Sequence, residues 1–393
     1  MRLNRRKFVT AAAGAASGFS GLRGAAPGTS EIGGARADFP WAEREVYLNT
    51  ATEHPLSIHS ARAMEKYIGY LTDGPDAGRG SFENARLQEE VREMFARLIH
   101  AKPSEIGFVP STQIGENVVL NGMGVQESGG NVVTNDLHYP GSLFNYQMRR
   151  KAGLDVRVVK HRDWQIEMRD LERVVDRKTK LIALALVSNV NGYLENIKAI
   201  SELAHAHGAY VFADVIQAAG AVPIDVRAMG IDFLACSAYK WLMGGRFGYL
   251  YAREDLQGTV LKPPMFGGKG MEQRGASRYE VSTASHLGFV CQHEALQYIH
   301  RLGVENIQAH ARPLTERLRK ELPAIGYPCI TPKGNESPIV TFLLKDAPKA
   351  QARLERAKVI VTVRREKQGG QMRVSPSVFN NLVDAGRLVD ALA

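Results

Sequence analysis

Two polar side chains follow apolar runs of this sequence and are placed to act together. Asp214 ends the run Tyr-Val-Phe-Ala-Asp, and Lys240 comes 26 residues later, after the mostly apolar stretch Ile231–Ser237. A lysine that loses hydration beside a strand gives up its proton more easily, and a free amine forms an imine with an aldehyde. A buried carboxylate needs a cation or a hydrogen-bond donor, which a protonated pyridine nitrogen provides. The pair therefore indicates the chemistry of pyridoxal 5′-phosphate (PLP).

Each of these residues also has a commoner interpretation. A lysine after a strand is most often exposed, and an aspartate at a strand end is usually a helix N-cap or part of a structural ion pair. The neighbours favour catalysis, because Ser237 and Tyr239 bring hydroxyl groups within reach of a phosphate. The glycine-rich stretch from Trp241 to Gly248 can also pass close to a ligand.

The elements that must position these residues alternate along the chain from about residue 105. Short apolar runs alternate with amphipathic stretches, a pattern typical of a parallel sheet with helices on both faces. The clearest βαβ unit comprises a strand over Leu181–Val187, a helix over Ile197–His207 and a strand over Tyr210–Ala213. Ligands of such sheets bind beyond the carboxyl ends of the strands, where Asn189 and Asp214 are both expected.

After Thr283 the pattern changes to that of a smaller α+β domain. One long helical stretch is predicted from about Leu287 to Leu322. Shorter elements follow at Pro338–Leu344, Gln351–Ala357, Val359–Val363 and Met372–Val374. We therefore divide the chain into an export signal (1–37), a segment joining the small domain (38–55), a large PLP-binding domain (56–290) and a small C-terminal domain (291–393).

The composition is that of a soluble globular protein, with 393 residues, of which 44% are hydrophobic and 23% charged. The formal net charge is +9, but residues 1–37 hold six basic side chains against one acidic, which leaves +4 for the rest. A balance of this size gives no argument for a nucleic-acid partner. The cysteines, Cys236, Cys291 and Cys329, have neither the spacing of a metal cluster nor that of a disulfide framework.

The N-terminus indicates export. Arg5-Arg6 stands in the run Asn4–Thr10, ahead of a weakly apolar stretch rich in alanine and glycine, and Ala35-x-Ala37 is a possible cleavage site. The alternative is a disordered basic tail. The apolar stretch falls short of the roughly 18 residues that span a bilayer. We expect the Tat translocon to deliver a soluble protein to the periplasm, with no membrane contact beyond export.

Seven short motifs occur in order between about residues 47 and 381. They are Ser111-Thr112, His138, Val187-Ser-Asn-Val-Asn-Gly192, Ala213-Asp-Val-Ile-Gln217, Ser237-Ala-Tyr-Lys240, Ser282-Thr283 and Arg373-Val-Ser375. Together they resemble the class V aminotransferase family of PLP-dependent enzymes, which contains cysteine desulfurases, selenocysteine lyases and isopenicillin N epimerase. The resemblance implies the α/β fold of type I PLP-dependent transferases, with a large domain built on a mostly parallel sheet and a smaller α+β C-terminal domain.

The resemblance also implies roles for individual residues. Lys240 would carry PLP as an imine and move a proton at the substrate α-carbon, Asp214 would hold the ring nitrogen, and His138 would stack on the ring. The other implied cofactor-binding residues are Ser111 and Thr112 with backbone N–H groups, Ser237 and Tyr239 at the phosphate, and Asn189 and Gln217 at the phenolic oxygen. Arg373 and Asn49 would bind an amino acid or amine substrate. Thr283 would reach the phosphate of a neighbouring subunit, which implies a homodimer with shared active sites.

The chain departs from the family pattern at a point that bears on the reaction. Cysteine desulfurases carry a persulfide-forming cysteine shortly before the substrate arginine, whereas no cysteine lies between Val361 and Arg373. We therefore expect an enzyme acting at the α-carbon of an amino acid, most like the aminotransferases and isopenicillin N epimerase. A C–S or C–Se lyase without the persulfide cysteine, and a catalytically silent PLP-binding protein, are the alternatives. Arg364-Arg365 indicates either a second anionic group on the substrate or an exposed basic loop.

Overall fold

The structure is a computed structural model, and it describes residues 29–74, 84–267, 274–282 and 285–393. Three sheets organise these residues: a seven-stranded, mostly parallel sheet, a three-stranded antiparallel sheet and a two-stranded parallel sheet. The predicted α/β architecture with a smaller second domain is thereby confirmed. Arg5-Arg6 and Thr283 lie outside the described residues.

The strands follow the expected alternation. In chain order they are β1 (Val46–Tyr47), β2 (Ile106–Val109), β3 (Asn131–Asn135), β4 (Asp155–Val159), β5 (Thr179–Ala185), β6 (Tyr210–Asp214), β7 (Phe233–Ser237), β8 (Gly248–Ala252), β9 (Val340–Leu344), β10 (Val359–Ile360), β11 (Thr362–Arg365) and β12 (Gly370–Val374). The large sheet has the order β2-β8-β7-β6-β5-β3-β4. Strands β3 to β7 pair in parallel, whereas β8 runs antiparallel to both of its neighbours.

Helices cover both faces of the large sheet. In chain order the helices are α1 (Thr29–Gly34), α2 (Trp41–Arg44), α3 (Ile58–Asp73), α4 (Asn84–Leu98), α5 (Thr112–Gly122), α6 (Pro140–Lys151), α7 (Met168–Glu172), α8 (Ile197–Ala206), α9 (His286–Leu302), α10 (Val304–Ala324), α11 (Ala347–Arg356) and α12 (Leu382–Leu392). Central strands such as β6 and β7 are buried on both faces, as their unbroken apolar character requires. None of the described helices combines the length and apolar character needed to cross a bilayer.

The βαβ unit formed by β5, α8 and β6 forms as its sequence predicts. Asn196 caps α8 by accepting a hydrogen bond from the Ala199 N–H at 3.4 Å, and Ile200 and Ala204 bury one helix face. Gly208 adopts φ 74° just past the helix, a conformation that glycine tolerates without strain. The unit places the ends of β5 and β6 side by side, which brings the Asn189 loop next to Asp214.

The small domain is built on the order β11-β12-β9, with α11 and α12 packed near it. Its core is apolar and separate from that of the large domain, and it includes Leu318, Val340, Phe342, Met372 and Leu388. Strand β1, in the segment expected to join this domain, pairs in parallel with β10.

The helical stretch predicted from about Leu287 to Leu322 is helical in the structure, but it is not one continuous helix. The chain forms α9 and α10 instead, and they are separated by Gly303 at φ 79°, a backbone conformation that a continuing helix does not allow. The predicted domain boundary between residues 290 and 291 falls inside α9, which contacts α3 and α4. Residues 359–365 likewise form two strands that belong to different sheets.

The end of the expected export signal is packed against the protein. Ile32 and Ala35 are buried in the large core. Arg36 donates to Asp384 at 2.8 Å and to Glu43 at 2.9 Å. The possible cleavage motif Ala35-x-Ala37 therefore lies within a segment that makes specific contacts with the folded chain.

Candidate active site

Asp214 and Lys240 meet at the carboxyl edge of the large sheet. Asp214 is the last residue of β6, Lys240 follows β7 by three residues, and the parallel pairing places Asp214 opposite Ala235. Both side chains are buried, with 4% and 8% of their surface exposed. The predicted pair is thus brought together by two adjacent strand ends.

Burial shifts the pKa of both groups towards the neutral form. Desolvation, followed by the charge of the nearby Arg373, lowers the pKa of Lys240 to about 8, although Asp214 opposes both effects. Desolvation raises the pKa of Asp214 to about 6, while the Ile216 N–H at 2.9 Å and Lys240 oppose that rise. The site therefore offers an easily deprotonated amine and a carboxyl group that a cationic ligand would ionise.

The predicted phosphate-binding residues converge at the start of α5. Ser111 caps this helix by accepting from the Ile114 N–H at 3.3 Å. The Thr112 N–H donates to Ser237 Oγ and the Ser237 N–H donates to Thr112 Oγ1, both at 2.9 Å. The end of β7 is thereby tied to a helix N-terminus, whose free N–H groups favour an anion.

His138 and Asn189 are held close to each other by their loops. Ser188 Oγ donates to the Leu137 carbonyl at 2.7 Å, which joins the two segments. His138 is fully buried, and its Nε2 has no hydrogen-bond partner; Asn189 Oδ1 is likewise buried and unpaired. Buried polar atoms are rarely left unpaired in proteins, so the Asn189 Oδ1 fits a polar ring ligand such as PLP.

Gln217 and Tyr239 make protein contacts that the sequence did not indicate. Gln217 Nε2 donates to the Ala51 carbonyl and its Oε1 accepts from Trp241 Nε1, both at 2.9 Å. The ring of half-buried Tyr239 lies under the Arg246 guanidinium, 5.1 Å from the ring centroid. The proposed contact of Gln217 with the phenolic oxygen of PLP stays a prediction.

The two residues predicted to bind substrate, Arg373 and Asn49, share a network of hydroxyl groups, and we call this part of the site the substrate end. Arg373 donates from Nη1 to the Asn189 carbonyl at 3.0 Å, and from Nη2 to Thr52 Oγ1 at 2.7 Å and Thr362 Oγ1 at 3.1 Å. Asn49 Oδ1 accepts from the same two threonine hydroxyls, at 2.9 and 2.6 Å. The Arg373 Nε is buried without a partner, which leaves this guanidinium able to donate further.

A second guanidinium reaches the same carbonyl. Arg364 Nη2 donates to the Asn189 carbonyl at 2.9 Å, whereas Arg365 is exposed and donates to Gln351. Burial, followed by the charge of Arg364, lowers the pKa of Arg373 to about 9. Among the described residues neither Arg364 nor Arg373 forms an ion pair with a carboxylate, so this end of the site attracts an anion.

Several residues of the site were missed from the sequence. Thr52 and Thr362 gave no signal, because single threonines occur everywhere in proteins. Glu116 stands four residues after Thr112, on the same face of α5, and is almost fully buried. That spacing could have identified Glu116 as a residue that points towards the site.

The aminotransferase class-V family model matches residues 49–370. The chain belongs to this family. A probable cysteine desulfurase from Methanothermobacter thermautotrophicus is 30% identical over 323 residues, which cover 78% of this chain and 80% of the relative. An uncharacterized aminotransferase of Bacillus subtilis, YcbU, is 25% identical over 364 residues, covering 90% and 95%.

Solved structures show the same fold. The protein C-DES, described as a cystine C–S lyase, has been solved as a Lys-to-Ala mutant with glycine covalently linked to its PLP cofactor. That structure has a TM-score of 0.79 and 20% identity, and the match covers 91% of this chain and 98% of C-DES. Because it belongs to the class V family, the chain is a PLP-dependent enzyme. The buried lysine, the carboxylate and the unpaired oxygen of Asn189 fit this cofactor.

Proposed function

We propose that the protein is a PLP-dependent C–S lyase. It would cleave the bond between the β-carbon and sulfur of a cysteine-related amino acid and release the sulfur product directly. The observation that carries this proposal is the position of the cysteines, because they supply no thiolate that could accept sulfur beside Lys240.

The three cysteines of the chain are placed as structural residues. Cys236 and Cys291 are completely buried, and burial raises the pKa of both thiols, that of Cys291 to about 11. Cys329 lies opposite Phe342 at the edge of the small-domain core. The segment between Arg364 and Arg373 has none. Because a thiolate is the species that attacks sulfur, a persulfide relay through these residues is disfavoured.

The remaining residues have the properties that an elimination requires. When bound, PLP withdraws electrons from the substrate α-carbon. Arg373 would bind the α-carboxylate with its free donors, and the neutral amine of Lys240 would take the α-proton. Loss of this proton and departure of the thiolate from the β-carbon leave a double bond, whose hydrolysis gives pyruvate and ammonia.

Arg364 favours a substrate that carries a second anion. Arg373 can bind one carboxylate. The guanidinium of Arg364 donates to the neutral Asn189 carbonyl, so its positive charge is available for a second anion. Cystine has such a second carboxylate, and it is the substrate for which C-DES is described. We therefore propose cystine-like disulfides as the first compounds to assay.

The experiment begins with cofactor attachment. The purified protein should be yellow with PLP, and borohydride should fix the cofactor mass on the peptide that contains Lys240. Addition of cystine or cysteine should then release pyruvate. A colourless protein that takes up no PLP would overturn the assignment of the site, whereas a yellow protein that yields no pyruvate with any thio-substituted amino acid would overturn the lyase proposal alone.

Amino transfer is the second candidate, supported by the match to YcbU along 90% of this chain. Conversion of the bound cofactor to its pyridoxamine form by an amino acid, with no release of pyruvate, would support this function over the lyase. Incorporation of solvent deuterium at the α-carbon without net product would support the epimerase expected from the sequence.

We also propose that the enzyme is a homodimer. A mostly apolar groove of about 410 Å³, lined in part by Phe108, Ile114 and Phe247, lies beside the Ser282 that precedes Thr283. Met265 also lines this groove, and the next residue, Phe266, has 94% of its surface exposed. Large exposed apolar surface is typical of an interface. Sedimentation equilibrium should give twice the mass of the chain, and a monomer at micromolar concentration would contradict the proposal.

Export remains a proposal that rests on the sequence of residues 1–37. Replacement of Arg5 and Arg6 by lysines should keep the protein in the cytoplasm, because the twin-arginine receptor reads the arginine pair. Fractionation of cells that express the two forms tests this. Equal amounts of both forms outside the cytoplasm would exclude this signal.

A further inference from the structure

A buried carboxylate lies behind His138. Glu116, with 1% of its surface exposed, accepts hydrogen bonds from Ser142 Oγ at 2.6 Å and from Tyr146 Oη at 2.5 Å. Its Oε1 lies 3.7 Å from His138 Nε2. The carboxylate of Glu116 thus faces the Nε2 edge of the imidazole.

The backbone fixes which nitrogen of His138 carries the proton. His138 Nδ1 accepts the Tyr139 N–H at 2.7 Å, so the hydrogen of the neutral ring must be on Nε2. This Nε2 is the buried atom without a hydrogen-bond partner. A small movement of either side chain would bring its N–H within hydrogen-bonding distance of Glu116.

The charges around Glu116 connect it to the ring-nitrogen site. Burial raises the pKa of Glu116 to about 7; Ser142 and Tyr146 oppose the rise, Asp214 adds to it, and Arg149 reduces it. The two buried acids thus repel each other across the site. A cationic pyridine ring beside Asp214 and His138 would favour the ionised form of both.

We propose that Glu116 is a positioning residue that holds His138 through the Nε2–H and adds a second negative charge, after Asp214, at the PLP ring. The proposal rests on PLP binding and is independent of the proposed C–S cleavage. Ser142 and Tyr146 hold the carboxylate of Glu116 by hydrogen bonds. The carboxylate orients the imidazole of His138, and the imidazole stacks on the PLP ring.

The direct test uses E116Q, a near-isosteric change that removes the charge. E116Q should bind PLP about 5- to 10-fold more weakly and should lower the pH midpoint of the absorbance change of the lysine-bound cofactor by about 0.5 to 1 unit, because a nearby anion stabilises the protonated imine. The matched control is E127Q at an exposed glutamate, which should change neither quantity. Unchanged affinity and midpoint in E116Q would overturn the proposal.

Two further measurements separate this role from a merely structural one. In the PLP-bound protein, the ¹⁵N and ¹H shifts of His138 Nε2 should indicate a hydrogen bond to Glu116 that becomes weaker in E116Q. In an H138F background, E116Q should weaken PLP binding much less than in the wild type, because the part of its effect that depends on the orientation of the imidazole is lost and only the direct effect of the charge remains. An equal loss in both backgrounds would show that Glu116 does not act through His138.

Y146F keeps the test informative if E116Q folds poorly. Loss of the Tyr146 donor raises the pKa of Glu116 above its value of about 7. Y146F should therefore resemble E116Q at pH 7.5, where its carboxyl is still largely protonated, and the wild type at pH 9, where the carboxyl is ionised in either protein. An effect of Y146F on PLP affinity that is the same at both pH values would contradict the proposal.

Discussion

The two ends of the active site carry opposite charge and are built differently. At the cofactor end, Asp214 and Glu116 are buried acids held by the strands and helices of the large domain. At the substrate end, Arg364 and Arg373 are on β11 and β12 of the small domain, and both donate to one carbonyl of the large domain. Lys240 lies between the two ends, and its pKa responds to both.

The residues expected to bind the cofactor and those expected to bind the substrate thus lie on different domains. The cofactor end uses strand termini, which are rigid and tolerate little change in geometry. The substrate end uses long side chains on small-domain strands, which a different sequence can replace without altering the large sheet. We therefore expect substitutions on β11 and β12 to change the choice of substrate more than the binding of the cofactor.

The largest expected effect comes from removing the amine between the two ends. K240A should lose covalent attachment of PLP and at least about 1,000-fold in kcat, because no other buried amine stands at the sheet edge among the described residues. Absorbance after borohydride reduction and a turnover assay measure this. K262A, at an exposed lysine, is the control; retention of covalent cofactor in K240A would refute the assignment.

Loss of Arg373 tests the substrate end. R373L should reduce kcat/KM by about 100- to 1,000-fold, because a buried carboxylate clamp is removed. It should also shift the pH midpoint of PLP capture by the apoprotein upwards, because Arg373 lowers the pKa of Lys240. R373K should keep that midpoint near the wild-type value but lose affinity for substrate. A midpoint unchanged in R373L would break the proposed link between the two ends.

Arg364 should discriminate between substrates and have a smaller effect. R364Q is expected to lower kcat/KM for cystine about 10- to 50-fold, and that for cysteine less than about 3-fold, since only cystine has a second carboxylate to bind. R365Q, at the exposed neighbour, is the matched control. Equal losses with both substrates would show that the two arginines bind a single carboxylate.

The smallest effect concerns stability. Glu195 is a third buried acid of the large domain, and it accepts a hydrogen bond from Asn135 Nδ2 at 2.8 Å. Burial raises the pKa of Glu195 to about 8, that of Glu116 to about 7 and that of Asp214 to about 6. The protonated forms of these acids stabilise the folded apoprotein. This contribution is complete at pH values below about 4, the pKa of such acids in the unfolded chain, and it is lost as the pH rises through about 6 to 8. Urea unfolding should give a stability lower at pH 8.5 than at pH 5.5, and E195Q should reduce the difference by about 1 kcal/mol. A pH-independent stability would contradict buried, protonated acids at the cofactor end.

The sequence predicted the cofactor end better than the substrate end. Asp214, Lys240 and Asn189 follow buried strands, and the parallel sheet brings strand ends together whatever the loops do. The grouping of Arg373 with Asn49 could be inferred only from the family, because it depends on β1 pairing with β10 over more than 300 residues. The pairing of Arg364 with Arg373 needed the register of β11 against β12, which places Arg364 opposite Gln371.

Errors in the predicted elements have local causes. The apolar pattern continues through residues 286–324 with one change of phase. Gly303, at positive φ, divides this stretch into two helices, whereas helix propensity alone treats a glycine only as a weak helix former. Glu116 was missed because buried glutamates are rare and a single acidic residue in a helix is usually exposed.

The shared acceptor of the two arginines is a main-chain oxygen, and this has a consequence for genetics. Every amino acid at position 189 keeps that oxygen. Substitutions of Asn189 would therefore remove the side-chain amide expected to contact the cofactor, but they would preserve the hydrogen bonds from Arg364 and Arg373 to the main chain. The hydrogen bonds between the domains at this point thus depend on the position of the loop backbone. Only changes that move this loop, such as insertions around Val190, would break them.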